Sequence, residues 1–359
     1  MSSQEEYQRV PLPALQELVC DILIRYQVPK EHAIIVADVL TSADLRGVES
    51  HGVGRLFSYY LGRLERGLMN PRAHVQVMRQ IGSTAVLDGD NGLGHVAGYL
   101  GMEKCLELAA QHGLAITVVR NSNHYGMAGY YAMMALGKNM IGISLTNSQP
   151  LTIPTYGRTR MLGTNPISIA FPGGGEEPFV LDMATSVVAI GKMEVYRRKD
   201  LPVPRHWGAD RDGMPTSDPN EVIEHGGVFP LGGPAENSGY KGYGLAAVVD
   251  ILSGVLSGAG FLTGVLRPVD EDPCNVGHFF AAMQVDAFMP LHEFTDRMDQ
   301  FIRQLRSSPR AKGAKQIFVA GEKEFMQEKR NRQLGVPIHP KVWQSLRDEA
   351  KRLGLRLWE

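Results

Sequence analysis

Two short stretches of this chain place a histidine among the polar residues that proton transfer requires. Ser50-His51-Gly52 forms a tight polar turn with Arg55 four residues on, and Asn123-His124-Tyr125-Gly126 follows a β-branched run at 115–119. Imidazole, with an ordinary pKa of about 6.5, takes up and returns a proton near neutral pH. The planar arginine fork binds both oxygens of a carboxylate. Oxidising a secondary alcohol removes a hydride from carbon and a proton from oxygen, and a cofactor usually carries the hydride. His51 with Arg55 therefore suits a small hydroxy acid. The same residues would also make a plain surface turn with a solvated arginine, and His124 could equally be a core histidine.

Other motifs point less sharply. Gly92-Leu93-Gly94-His95-Val96-Ala97 matches a dinucleotide phosphate turn in form, but the next strand ends in Arg120-Asn121 and lacks the acidic residue that would hold a ribose. Gly242-Tyr243-Gly244 fits the pattern without a clear strand before it. Close packing at a helix start explains both better. None of the eleven histidines stands in an HExxH spacing, so no metal site is expected. Gly163-Thr164-Asn165-Pro166 reads as a turn entering a strand. Leu181-Asp182-Met183-Ala184-Thr185-Ser186 reads as a strand end turning into a helix, whose start would be capped by a side chain or would hold a phosphate.

The elements that must position these residues follow from periodicity. Helical spacing predicts two helices over 11–47, and apolar runs near 75–77 and 85–87 predict a hairpin around Gly82-Ser83. A helix over 96–112, a strand at 115–119, a helix over 130–136 and a strand at 141–146 alternate as in an α/β protein, with polar residues after each strand. Further strands are expected at 167–171, 179–183, 279–285 and 316–319. The Pro-, Gly- and Asp-rich stretch 200–239 reads as loop, 244–262 as buried helix ends and loop, and 341–353 as an amphipathic helix.

Composition narrows the class. The chain has 359 residues, with 37 basic and 38 acidic side chains, which gives no general reason to expect nucleic acid or an anionic membrane as partner. Cys20, Cys105 and Cys274 form no paired spacing. The opening MSSQEEYQRV shows no basic stretch followed by an apolar one, and no run approaches the roughly 20 apolar residues of a spanning helix. A cytoplasmic setting is expected.

Several motifs in register resemble one family. Asp44-Leu45-Arg46-Gly47 through Ser50-His51-Gly52 and Arg55, then Asn121 to Gly126, Gly163 to Pro166, Leu181 to Ser186 and Tyr240-Lys241-Gly242-Tyr243-Gly244-Leu245 are similar to the malate/L-lactate dehydrogenase family. That family includes ureidoglycolate and sulfolactate dehydrogenases, 2,3-diketo-L-gulonate reductase and piperideine-2-carboxylate reductase. The resemblance runs from about residue 10 to 345. It implies an α/β fold distinct from the Rossmann dehydrogenases, with a helical N-terminal segment and a mixed-sheet cofactor domain. Residues 1–125 with 310–359 would form the substrate side and 126–309 the NAD(P)-binding domain, in a homodimer. It implies His51 as proton donor and acceptor, oriented by Ser50, with Arg55 and Thr164 on a small carboxylic acid, malate or lactate in type. In some members the histidine matching His124 is instead the base, and in others it contacts the cofactor, here with Tyr125 and Gly126. Ser148, Asp182, Met183, Ala184, Tyr240, Lys241, Gly321, Glu322 and Lys323 would be further cofactor contacts, with NAD placed ahead of NADP.

One position departs. The imine-reducing branch has an aspartate ten residues after the position of Asp182, where this chain has Lys192. A lysine cannot act as an orienting carboxylate. Weight therefore moves from cyclic imines toward hydroxy acids, ureidoglycolate and sulfolactate included, with Lys192 a substrate contact or simply solvated.

Overall fold

The computed structural model describes residues 7–266 and 272–356. Residues 1–6, within the stretch expected to lack a signal sequence, lie outside the described residues. A short strand β1 (Gln8–Val10) leads into α1 (Leu12–Arg25) and α2 (Lys30–Leu45). Pro13 stands in the first turn of α1, where its missing N–H forfeits no hydrogen bond. Leu15, Leu18, Val19, Ile22 and Leu23 form the buried stripe of α1 and pack with Leu40, Val336 and Leu346. Each such burial contributes roughly 1.5–3 kcal/mol.

After α2 come a 3₁₀ turn (Glu49–His51), a wide π turn (Leu56–Tyr60) and α3 (Leu61–Glu65). The expected hairpin forms from β2 (Gln76–Ile81) and β3 (Thr84–Asp88), reversing at Gly82 with φ +52°. Then follow α4 (Gly94–His112), β4 (Leu114–Ser122), α5 (Ala128–Met134), β5 (Met140–Thr146), β6 (Ile167–Phe171) and β7 (Phe179–Met183). Next are α6 (Ile190–Arg198), the two-residue strands β8 (Gly208–Ala209) and β9 (Gly227–Val228), and α7 (Gly239–Asp250). The chain ends with β10 (Val276–Gln284), α8 (Leu291–Ser307), α9 (Glu322–Leu334), β11 (Val336–Ile338), which pairs with β1, and α10 (Pro340–Arg352).

Seven strands form one mixed sheet in the order β2-β3-β4-β10-β5-β6-β7. β3 and β4 run parallel, joined by α4, and the other neighbours are antiparallel. Central β10 alternates: Phe280 and Ala282 pack with α4 and α5, whereas Phe279 and Ala281 pack with Val249 of α7. The sheet is continuous across the division between residues 125 and 126.

Three local expectations are corrected. Residues 316–319 run beside β7 without forming a strand; a single bond, from Val180 N–H to the Ala320 carbonyl, joins them among the described residues. No helix starts at Ser186, because Thr185 and Val187 donate to the Thr164 and Phe229 carbonyls and keep the chain extended until α6. Residues 244–262 are not wholly buried: Leu245, Val248, Ile251, Val255, Leu256 and Phe261 are exposed.

Candidate active site

The turn that carries His51 is built by side chains of its own neighbourhood. Asp44, buried at the end of α2, accepts the Val53 N–H at 2.7 Å. A Cβ on Gly52 would overlap that carboxylate, so glycine lets the turn close over Asp44. Burial is the main reason the Asp44 carboxyl is pushed up to about 8. Ser50 Oγ lies 2.9 Å from His51 Nδ1, and Arg55 Nε donates to the Ser50 carbonyl at 2.6 Å. The two terminal nitrogens of Arg55 have no protein partner among the described residues.

The His124 loop is built by backbone proximity instead. Gly94 opens α4 directly against the Asn123 and His124 carbonyls, where a Cβ would overlap the Asn123 oxygen. Gly94 is thus a close-packing glycine. Asn123 Nδ2 donates to the Gly92 carbonyl at 2.8 Å, and Gly126 takes φ +82° beneath the buried ring of His95. His124 stacks on His51 with centroids 5.5 Å apart, and Tyr60 Oη lies 2.6 Å from its Nδ1.

Both imidazoles are held neutral at physiological pH. Burial, with the Arg55 cation second, lowers His51 to about 4. Burial, then His51 and Arg55, holds His124 well below its usual value. Buried His95 and His278 are both lowered to about 3, chiefly by desolvation. A neutral imidazole recessed beside a guanidinium can accept a substrate proton, while the guanidinium favours an anion.

A cleft of about 470 Å³ opens at His51; His124 and Arg55 stand beside it and are not among its lining residues. Ser50, His51, Gly126, Thr164, Asp182, Met183, Ala184, Gly321 and Lys323 line it together with Arg46, Met127, Phe318 and Glu324. Asp182 Oδ2 accepts the Gly129 N–H at 2.8 Å, tying β7 to the start of α5; its carboxyl is pushed up to about 6, mainly by desolvation. Arg46, stacked on Phe325, is paired with Glu328 at 2.6 Å. Ser148 stands behind Thr164, its Oγ accepting the Thr164 N–H at 3.1 Å.

Other expected contacts lie elsewhere in the chain. Tyr125 is buried between Tyr131 and His278, 4.5 Å from the latter ring, with its hydroxyl on Ser144. Lys192 is exposed and stacks over Trp207 at 4.6 Å. Tyr240 and Lys241 are exposed on α7 and do not line the cleft. Glu322 accepts the Val319 N–H at 2.9 Å and pairs with Arg306. Conversely, Tyr60 escapes sequence reasoning, since it sits among apolar residues and reads as core, and His95 falls in the Gly92–Ala97 string, which reads only as close packing at a helix start. Asp44 lies in a recognised stretch, yet nothing local shows its carboxylate turning back to Val53. No cluster of three or more His, Cys, Asp or Glu suited to a metal ion occurs among the described residues.

The cleft suits a nicotinamide group. Its volume is that of a small-molecule site, and Met127, Ala128, Met183, Ala184 and Phe318 offer apolar surface to planar rings. Gly129, where a Cβ would press on Asp182 at 2.6 Å, and Gly321, with φ +87°, keep its walls open.

The whole chain resembles known proteins. The malate/L-lactate dehydrogenase family model matches residues 10–347. The malate dehydrogenase of Pyrococcus horikoshii is 47% identical over 98% of this chain and 97% of its own. The L-sulfolactate dehydrogenase of Methanocaldococcus jannaschii is 38% identical over 95% and 96%. Among solved structures, malate dehydrogenase from Entamoeba histolytica superposes with a TM-score of 0.93 at 34% identity, covering 98% of this chain and 99% of that one. The fold is that of a hydroxy-acid dehydrogenase, a class that works with a nicotinamide cofactor. The chain belongs to the malate/L-lactate dehydrogenase family.

Proposed function

We propose that this enzyme interconverts malate, or a 2-hydroxy acid of malate type, and its 2-oxo acid. The observation that carries the reading is the Ser50–His51 pair at the cleft, stacked on His124 and flanked by Arg55. His51 takes the hydroxyl proton, Ser50 orients its ring, and Arg55 with Thr164 holds the carboxylate. A bound nicotinamide supplies the acceptor or donor of the hydride. Gly126, Asp182, Met183 and Ala184 of a cofactor domain over 126–309 would hold it, together with Gly321 and Lys323 from the 310–359 segment. NAD stands ahead of NADP: a relative 32% identical is named ureidoglycolate dehydrogenase (NAD(+)). Within the cleft, Asp182 and Glu324 balance Lys323, and Arg46 is already paired.

The exposed apolar face of α7 and the π turn after it (Ile251–Val255) supports a homodimer. Light scattering should give twice the 39.5 kDa chain mass. No disulfide joins the three cysteines among the described residues, which fits a reducing, cytoplasmic setting. Among the described residues no helix is long and apolar enough to cross a membrane. The functional reading is tested by following nicotinamide absorbance with oxaloacetate, pyruvate, sulfopyruvate and a cyclic imine acid, each with NADH and NADPH. Oxaloacetate with NADH should give the highest kcat/KM. Turnover confined to the cyclic imine would refute the reading.

A further inference from the structure

Tyr60 is completely buried, and the one hydrogen-bond partner of its hydroxyl among the described residues is His124 Nδ1, at 2.6 Å. A buried phenol proton with no acceptor is costly, so the hydroxyl must donate to that nitrogen. The Gly126 N–H converges on the same atom at 3.4 Å. An amide N–H can only donate. Both interactions therefore require a lone pair on Nδ1, which leaves the proton of the neutral imidazole on Nε2. His124 Nε2 has no protein partner among the described residues and, unlike both nitrogens of His95, is not sealed from solvent. The surroundings oppose a second proton, since burial and the Arg55 cation disfavour the imidazolium.

His51 is placed differently. Its Nδ1 meets only the Ser50 hydroxyl, which can donate or accept. Its tautomer can therefore change during proton transfer, Nδ1–H donating to Ser50 while Nε2 takes the proton.

We propose that Tyr60 is a positioning residue that fixes His124 as its Nε2–H tautomer, making His124 a hydrogen-bond donor to the reacting oxygen and leaving proton transfer to His51. This rests on the hydroxy-acid dehydrogenase reading of the cleft. His124 then neither gains nor loses a proton. Its fixed N–H steadies the oxygen as the substrate proton passes to His51, and in the reverse direction polarises the carbonyl.

The tautomer is read directly in the ligand-free full-length protein. Two-bond proton–nitrogen correlation of ¹⁵N-histidine protein at pH 7, with His124→Gln to assign the signals, should show His124 Nε2 protonated and Nδ1 bare. In Tyr60→Phe the ring stays and the donor goes. His124 should then populate both tautomers, and kcat should fall about tenfold, the scale of one hydrogen bond, with little change in KM. A protonated Nδ1 in the unaltered protein overturns the proposal. So does a Tyr60→Phe variant with unchanged tautomer and kcat. If that variant does not fold, the unaltered spectrum still decides. Absence of turnover on any 2-hydroxy acid would instead count against the functional reading, with the tautomer measured independently.

Discussion

The two histidines of the cleft sit on pieces of chain held in opposite ways. The His51 turn is shaped by side chains: Asp44 bonds the Val53 N–H, Ser50 faces the ring, and Arg55 reaches back to the Ser50 carbonyl. The His124 loop is shaped by main-chain contact, with the start of α4 laid against the Asn123 carbonyl and Gly126 in a left-handed conformation. The exposed Ser50 hydroxyl can switch from donor to acceptor; a backbone N–H, or a buried phenol with a single acceptor such as Tyr60, cannot. A group that must exchange protons belongs on the first kind of support. A group that must only present a donor gains from the second.

The sharpest way to break that contrast is to ask which histidine tolerates a side chain that donates but cannot accept a proton. His51→Ala and His51→Gln should both lose turnover by roughly a hundred- to ten-thousand-fold, the range for removing an acid–base group. Cofactor affinity should stay near that of the unaltered enzyme. His124→Gln should retain clearly more kcat than His124→Ala, because its amide offers an N–H in the same region. Steady-state kinetics on the four variants decides. A His51→Gln enzyme more active than His124→Gln would reverse the assigned roles.

Much of this arrangement is legible in the residues. The β2–β3 hairpin, α4 and β4–β7 follow from short-range periodicity and glycine punctuation, and Ser50, His51, Thr164 and Asp182 fall at turns and strand ends where ligands collect. What could not be read depends on distant pairing. Nothing near Phe279 announces that it lies opposite Val118 and Leu145, which inserts β10 at the centre of the sheet. Tyr60 looks like one more core aromatic until the fold brings β4 to it. The resemblance implies Lys192, Tyr240 and Lys241 as site contacts, yet motif position along the chain does not fix where a helical side chain points. Lys192 finds Trp207, and the α7 pair faces outward.

The difference in support also predicts different penalties for adding a methyl group. At Gly94 the obstacle is the backbone carbonyl of Asn123, which cannot move without β4. Gly94→Ala should therefore cost stability near the top of the roughly 1–3 kcal/mol seen for overpacking. At Gly52 the obstacle is the Asp44 side chain, which can rotate away at the expense of its bond to Val53. Gly52→Ala should unfold closer to the unaltered protein, at about 1 kcal/mol or less for one lost hydrogen bond, yet show the greater fall in kcat for its stability loss. Urea titrations beside kinetics test the pair. Equal stability losses would mean that both turns rest on the main chain.

The effect confined to a single titrating group concerns Asp44 alone. Its carboxyl is raised to about 8 by burial, with Glu49 adding a little and the Val53 bond opposing, whereas an unfolded aspartate ionises near 3.9. A carboxyl raised on folding contributes stability that is complete below about pH 4 and is lost as pH climbs through about 8. His51, lowered to about 4, has the opposite sign: its contribution is present above about 6.5 and lost as pH falls through 4. Asp44→Asn keeps an oxygen for the Val53 N–H but cannot ionise, so it removes the first dependence and leaves the second. The stability difference between variant and unaltered protein should therefore move in the variant's favour from pH 4 to 8 and level off above. Urea unfolding at four pH values across that window measures it. A difference that does not change with pH would mean that Asp44 ionises in the ordinary carboxylate range and that the His51 turn closes over a charge.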